Sequence, residues 1–365
     1  MIRAFCMAAA LLVGLSVAKP VDITPARATE KVANDPDDPA IWVNRRNPAQ
    51  SLILGTNKVA AAEGGALYVF DGNGKVRQII RGLDRPNNVD VEYGMSVGGR
   101  SVDIAVVTER MQNRLRVYRI APGRTPLTEI GRIPVFYGEK DDYAAPMGIA
   151  LYHRPSDQAV FAIVGRKDGP RTGYLWQYRL KADAQGRVSG EKVRELGNYS
   201  GKKEIEAIAV DDALGYVYYA DEGHGIHKWY ADPEHPRAGE ELAVFGTTGY
   251  KGDHEGIAIY TEPNGGGYLI STDQIAGNSE YHVFPRVSQR GGEVAILRGR
   301  ADETDGIEAV SANLGPQFPQ GLLVTMNSTP RNFLYFDGRT VLSAIAKSTA
   351  QTGVPVAKNQ TVASR

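Results

Sequence analysis

The chain has 365 residues, and its 42 Lys and Arg balance 42 Asp and Glu. A formal charge of zero gives no support to general nucleic-acid binding or to a polybasic membrane surface, and 42% hydrophobic residues argue against wholesale disorder. Cys6 is the single cysteine, which excludes disulfides, cysteine-built zinc sites and a cysteine nucleophile in the body of the protein.

Met1 to Ala18 carries one charge, Arg3, followed by an uncharged run that ends in Ser16-Val17-Ala18. This is the pattern of a secretory signal with a small-x-small cleavage site, and the run is short for a membrane span. The expected division is a signal peptide over 1–18 and one domain over 19–365, exported to the periplasm or the extracellular medium. No other segment is apolar enough to span a bilayer, and a monomer is expected.

From about Ala40 to Phe336, short β-rich runs alternate with Gly, Pro, Asn and Asp, and long helical periodicity is missing. Six segments align: Asp38-Pro-Ala-Ile-Trp-Val, Asn88-Val-Asp-Val-Glu-Tyr, Met147-Gly-Ile-Ala-Leu-Tyr, Glu206-Ala-Ile-Ala-Val-Asp, Glu255-Gly-Ile-Ala-Ile-Tyr and Asp305-Gly-Ile-Glu-Ala-Val. Their starts lie 50, 59, 59, 49 and 50 residues apart. A second aligned segment follows each, as in Leu54-Gly-Thr-Asn-Lys58, Val106-Val-Thr-Glu-Arg110 and Ile270-Ser-Thr-Asp-Gln274, and then a third, as in Arg114-Leu-Arg-Val-Tyr and Glu280-Tyr-His-Val-Phe. Weaker fourth strands fit at 75–80, 193–196, 241–245 and 293–297. Four strands in each of six units predict an all-β fold, a six-bladed β-propeller. Ala28–Val32 is expected to add a strand to the last blade and close the ring.

Equivalent residues of a propeller form rings around the channel. The first ring is Asp38, Asn88, Met147, Glu206, Glu255 and Asp305, four of them carboxylates. So many negative charges around one channel demand a neutralising partner, and calcium accepts irregular oxygen shells. Asp35, Asp37, Asp90, Asp221, Asp253 and Glu303 lie beside this ring. The second ring reads Lys58, Arg110, Lys167, Glu222, Gln274 and Asn327. One half of the mouth is therefore basic and the other acidic, an arrangement suited to a polyanion carrying several phosphates. Other chemistries leave little trace. The six histidines form no His-x-x-x-His zinc pattern. Ser96 of Gly94-Met-Ser-Val-Gly98 is placed in a hairpin rather than in a nucleophile elbow, since a strand and not a helix follows.

Asp35-Pro-Asp-Asp-Pro-Ala-Ile-Trp-Val43, Asn87-Asn-Val-Asp-Val-Glu-Tyr93, Ile205-Glu-Ala-Ile-Ala-Val-Asp-Asp212, Asp253-His-Glu-Gly-Ile257 and Thr304-Asp-Gly-Ile307 resemble the β-propeller phytases, alkaline calcium-dependent phytate phosphatases. The resemblance spans most of the chain after the signal and implies a six-bladed propeller with several calcium ions. It implies that Lys58, Arg110 and Lys167 bind phosphate. It also implies that Glu206, Glu222, Glu255 and Asp305 hold calcium and the attacking water, with Asp253 and Gln274 at further channel positions. Asp38 with the carbonyls of Pro39 and Val89 resembles a structural calcium site. Two departures stand out: Met147 replaces a usual tyrosine, and Val59 follows Lys58 where a second lysine is common. The implied reaction is metal-assisted hydrolysis of phosphate monoesters of phytate (myo-inositol hexakisphosphate, as its calcium complex). Lys58 and Arg110 would neutralise the reacting phosphoryl group, Glu206 or Glu255 would orient or deprotonate the water, and Lys167 would grip a neighbouring phosphate. The alternatives are a calcium lactonase propeller and a calcium-stabilised propeller that only binds a partner.

Overall fold

The computed structural model describes residues 19–352; the 1–18 signal expectation lies outside them. The polypeptide is a β-propeller: antiparallel arrays stand around a central channel, each with its first strand innermost. The first array orders strands Pro36–Trp42, Leu52–Asn57, Ala66–Asp71 and Val76–Arg81 from channel to rim. An eight-stranded sheet follows. One half runs Pro86–Val97, Arg100–Glu109, Arg114–Ile120 and Leu127–Pro134, and the other runs Pro146–His153, Val160–Arg166, Thr172–Ala182 and Val188–Asn198. The halves meet at their outer strands through one parallel register pair, Gly131 with Val188. Next come Ile208–Asp211, Tyr216–Asp221, Gly225–Tyr230 and Ala243–Phe245, then Asp253–Thr261, Gly267–Gln274, Glu280–Pro285 and Ala295–Arg298, and finally Ile307–Val310, Leu322–Asn327 and Asn332–Asp337. Ser96 pairs with Ser101 across a Gly98-Gly99 turn, so it does sit in a hairpin.

The N-terminal segment completes two arrays. Arg27–Ala28 pairs antiparallel with Leu334–Tyr335, close to the expected 28–32, and Thr29 and Val32 donate backbone bonds to Phe333 and Arg331. The sequence reading did not foresee that Val21–Asp22 pairs in parallel with Leu297–Arg298. It also did not foresee the helix Gly338–Thr352, which buries Val341, Ala344 and Ile345 against the last sheets.

Two devices set the inner strands. First, the ladder slips at the same repeat position in four of them, between 36 and 39, 86 and 89, 146 and 149, and 254 and 257. Such bulges release residues from pairing and re-aim their side chains; Asp38, Asn88, Met147 and Glu255 all fall inside the slips. Second, the residue after the ring position is glycine in three repeats because the next inner strand passes against it. A Cβ would lie 1.7 Å from the Glu206 carbonyl at Gly148, 2.6 Å from the Ile307 nitrogen at Gly256 and 2.2 Å from Asp38 Oδ1 at Gly306. Threonines stitch neighbours together: the Thr56 hydroxyl accepts from the Asp38 N–H and donates to the Asn87 carbonyl, and Thr108 does the same between Asn88 and Met147. Apolar clusters fill the space between arrays, such as Ile41, Ile53 and Phe70 against Met326, Phe333 and Tyr335.

Candidate active site

The inner strands enclose a cavity of about 480 Å³ lined by Asp38, Pro39, Asn88, Val89, Glu206, Glu255 and Asp305. It continues into a second acidic layer of Asp90, Glu92, Asp212 and Glu308. The repeat argument thus places the ring residues together. Met147 is 1% exposed and offers its carbonyl to Thr108, so it packs in the wall.

Lys58, at the end of its strand, does not stand apart from the acidic half. Its ammonium pairs with Asp37 and lies 3.9 Å from Glu206 Oε1 and 3.7 Å from Asp305 Oδ2. Burial disfavours its charge, yet these carboxylates hold its pKa well above the ordinary lysine value. Asn87 donates 2.6 Å to Glu206 Oε1, and Gln274 donates to Asp305. Asp38 accepts the Val89 N–H at 2.9 Å. Arg110 starts a 3-10 turn at the end of the equivalent strand, and Lys167 pairs with Glu204. Asp253 is paired with Lys203, a contact the repeat pattern does not reveal.

Two carboxylate triads have ligand atoms within 4.8 Å of one another: Glu204, Glu206 and Glu222, and then Glu222, Asp253 and Glu255. Glu222 belongs to both. Burial pushes Glu222 up to about 9, with Glu204, Glu206 and Asp253 adding repulsion. Burial likewise raises Glu206 to about 7 against the pull of Lys58, Asp37 to about 8 despite Lys58, and Asp305 to about 6. Glu255 is raised well above the ordinary value by burial and by Glu222, Glu206 and Asp305. Glu222 Oε1 is buried with no hydrogen-bond partner. The protein's own cations therefore leave this carboxylate set short of positive charge. All-oxygen donors with an orphaned acceptor fit a hard divalent cation, and among the described residues no sulfur or imidazole ligand joins either triad. Sequence reasoning missed Glu204, which lies in the connection before the inner strand, off the repeat register; its one signal was the alternation Glu204-Ile-Glu206.

The chain is 11% identical to the β-propeller domain of Myceliophteria thermophila Cps50 (Swd1), with a TM-score of 0.50 over 86% of each chain, a likeness of fold alone. It is 30% identical over 318 residues to the 3-phytase of Bacillus subtilis (strain 168), covering 84% of this chain and 78% of that protein. The sequence model of the Phytase family matches residues 5–332, a span that takes in every ring residue and both carboxylate triads. The carboxylate channel with its cationic rim is thus carried on a sequence that belongs, over most of its length, to the phytase family.

Proposed function

We propose that this chain is a calcium-dependent phosphoric monoester hydrolase that releases phosphate from phytate, with the channel mouth as its active site. The observation that carries this is the juxtaposition of the buried carboxylates Glu206, Glu222 and Glu255, joined by the half-buried Glu204 and Asp253, with the cations Lys58, Arg110 and Lys167. The two triads and Asp305 would hold the active-site calcium, and Asp38 with the Pro39 and Val89 carbonyls would hold a structural ion. Bound calcium would supply charge neutralisation and a water of lowered pKa. Lys58 neutralises the reacting phosphoryl group, where charge develops most. Arg110 presents a planar fork to phosphate oxygens. Glu206 and Glu255 orient the attacking water and accept its proton. Lys167 grips an adjacent phosphate in exchange for its contact with Glu204.

We count the propeller as six blades, reading the eight-stranded sheet as two blades joined at their rims. Six apolar clusters among the described residues support that count, since each fills one junction between neighbouring arrays. We read residues 1–18 as an export signal; among the described residues no helix is long and apolar enough to cross a membrane. Phosphate release from phytate, measured in calcium and then in excess EGTA, tests the function. Release in calcium that stops in chelator is expected, and release unaffected by chelator would overturn the calcium requirement.

A further inference from the structure

Arg85 lies between two of the cations already assigned. Its N–H donates to the Val59 carbonyl, next to Lys58, and its own carbonyl accepts the Arg110 N–H at 3.1 Å. It holds φ at +54°, directly before Pro86 at the head of an inner strand. A non-glycine residue in this left-handed region is sparsely populated and directs attention to its surroundings.

The acids nearest in sequence to this rim are engaged elsewhere. Asp84 accepts from the Ala61 N–H at 3.2 Å and from Gln112 Nε2 at 2.9 Å. Glu109 accepts from Arg114, Arg116 and the Asp84 N–H. Arg85 Nε is buried with no hydrogen-bond partner, and among the described residues neither Arg85 nor Arg110 has an ion pair. After burial, repulsion from Arg85 is the next largest influence lowering the Arg110 pKa. Glu204, Glu206 and Asp142 pull on Arg110 from beyond ion-pair distance, and two neighbouring guanidinium groups with no direct ion pair form an anion site, because each can present parallel N–H donors to a tetrahedral oxyanion.

We propose that Arg85 and Arg110 together form a phosphate subsite on the channel rim, with Arg85 a fourth substrate-binding cation for a polyphosphorylated substrate. This rests on the phosphatase reading above. The full chain, loaded with calcium, is compared with Arg85→Gln, Arg85→Lys and Arg85→Gly, the last suited to the left-handed backbone. Arg85→Gln and Arg85→Gly should raise KM for phytate roughly tenfold, the loss expected for a charge-assisted contact, with kcat within about twofold. Arg85→Lys should recover part of that. Inorganic phosphate, titrated by calorimetry, should bind Arg85→Gln about tenfold more weakly than the parent chain. Unchanged KM and unchanged phosphate binding in Arg85→Gln and Arg85→Gly would overturn the subsite. A parent chain that releases no phosphate from phytate would instead overturn the functional reading, and calorimetry with inorganic phosphate would then decide the subsite alone.

Discussion

At Lys58 one ammonium has two tasks: it screens Asp37, Glu206 and Asp305, and in the proposed reaction it would meet the phosphoryl group. Removing it takes away a preorganised cation, so Lys58→Ala should lower kcat on phytate roughly 10²-fold, about 2.7 kcal/mol of barrier. Lys167 is half-buried and pairs with Glu204, whereas Lys58 contacts Glu206 and Asp305 of the first ring. Lys167→Ala should therefore mainly raise KM for phytate and affect a monophosphate ester little. Steady-state kinetics on both substrates check the division, and equal losses for the two variants on the monophosphate would contradict it. The ring residues were legible because a repeat turns one-dimensional spacing into a circle. Glu204 and Arg85 were not, since both sit in connections where no repeat register applies. The Lys58–Asp37 pair was hidden for a different reason: the repeat gives the height of each residue in the channel but not the direction in which a long side chain bends.

At the scale of strands, the inner three of each array carry buried apolar runs and were readable, whereas the outermost strands Val76–Arg81, Leu127–Pro134 and Val188–Asn198 are half-solvated and carry a weaker pattern. Ala243–Phe245 is three residues long with no buried position. The terminal helix had a signal that went unused: Val341, Ala344 and Ile345 at helical spacing, and Asp337 accepting the Arg339 N–H at 2.9 Å as a cap. The ring glycines explain why the motif reads Gly-Ile after a channel residue. At Gly306 an added methyl would meet Asp38 Oδ1 at 2.2 Å and its Cα at 2.7 Å, a backbone approach that rotamer changes do not relieve. Gly306→Ala should destabilise by about 1–3 kcal/mol, the range for overpacking, and weaken calcium binding by displacing Asp38. Urea unfolding and calcium titration measure the two effects; a stability within error of the parent chain would contradict the packing account.

For the whole molecule, zero net charge conceals an acidic channel offset by a net positive remainder. In the metal-free folded state Asp37, Glu206 and Glu222 keep protons up to about pH 8, 7 and 9, while the unfolded chain releases them near the ordinary carboxylate value. The folded state therefore binds more protons between about pH 4 and 9, so their contribution to stability is full below that window and is lost as pH rises through it. Tm in EGTA should fall between pH 6 and 9, and calcium should restore it most at the alkaline end. A metal-free Tm that rises over that interval would contradict the linkage. The number of sheets was less legible than the fold, because the single Gly131–Val188 pair at the rim merges two arrays without leaving a mark in the sequence. The N-terminal segment carries the circular closure, and removing residues 19–32 leaves the edges of two arrays unpaired. That truncation should lower Tm by several degrees even in saturating calcium, as scanning calorimetry would show; an unchanged Tm would mean that the ring does not depend on its clasp. The same clasp sets the order of events during synthesis. Thr29 bonds to Phe333 across 304 residues and Asp22 to Arg298 across 276, so these contacts must await nearly the whole chain. Such high contact order should make closure the slow step of refolding, and it leaves residues 19–32 without their partners until the last strands have been made.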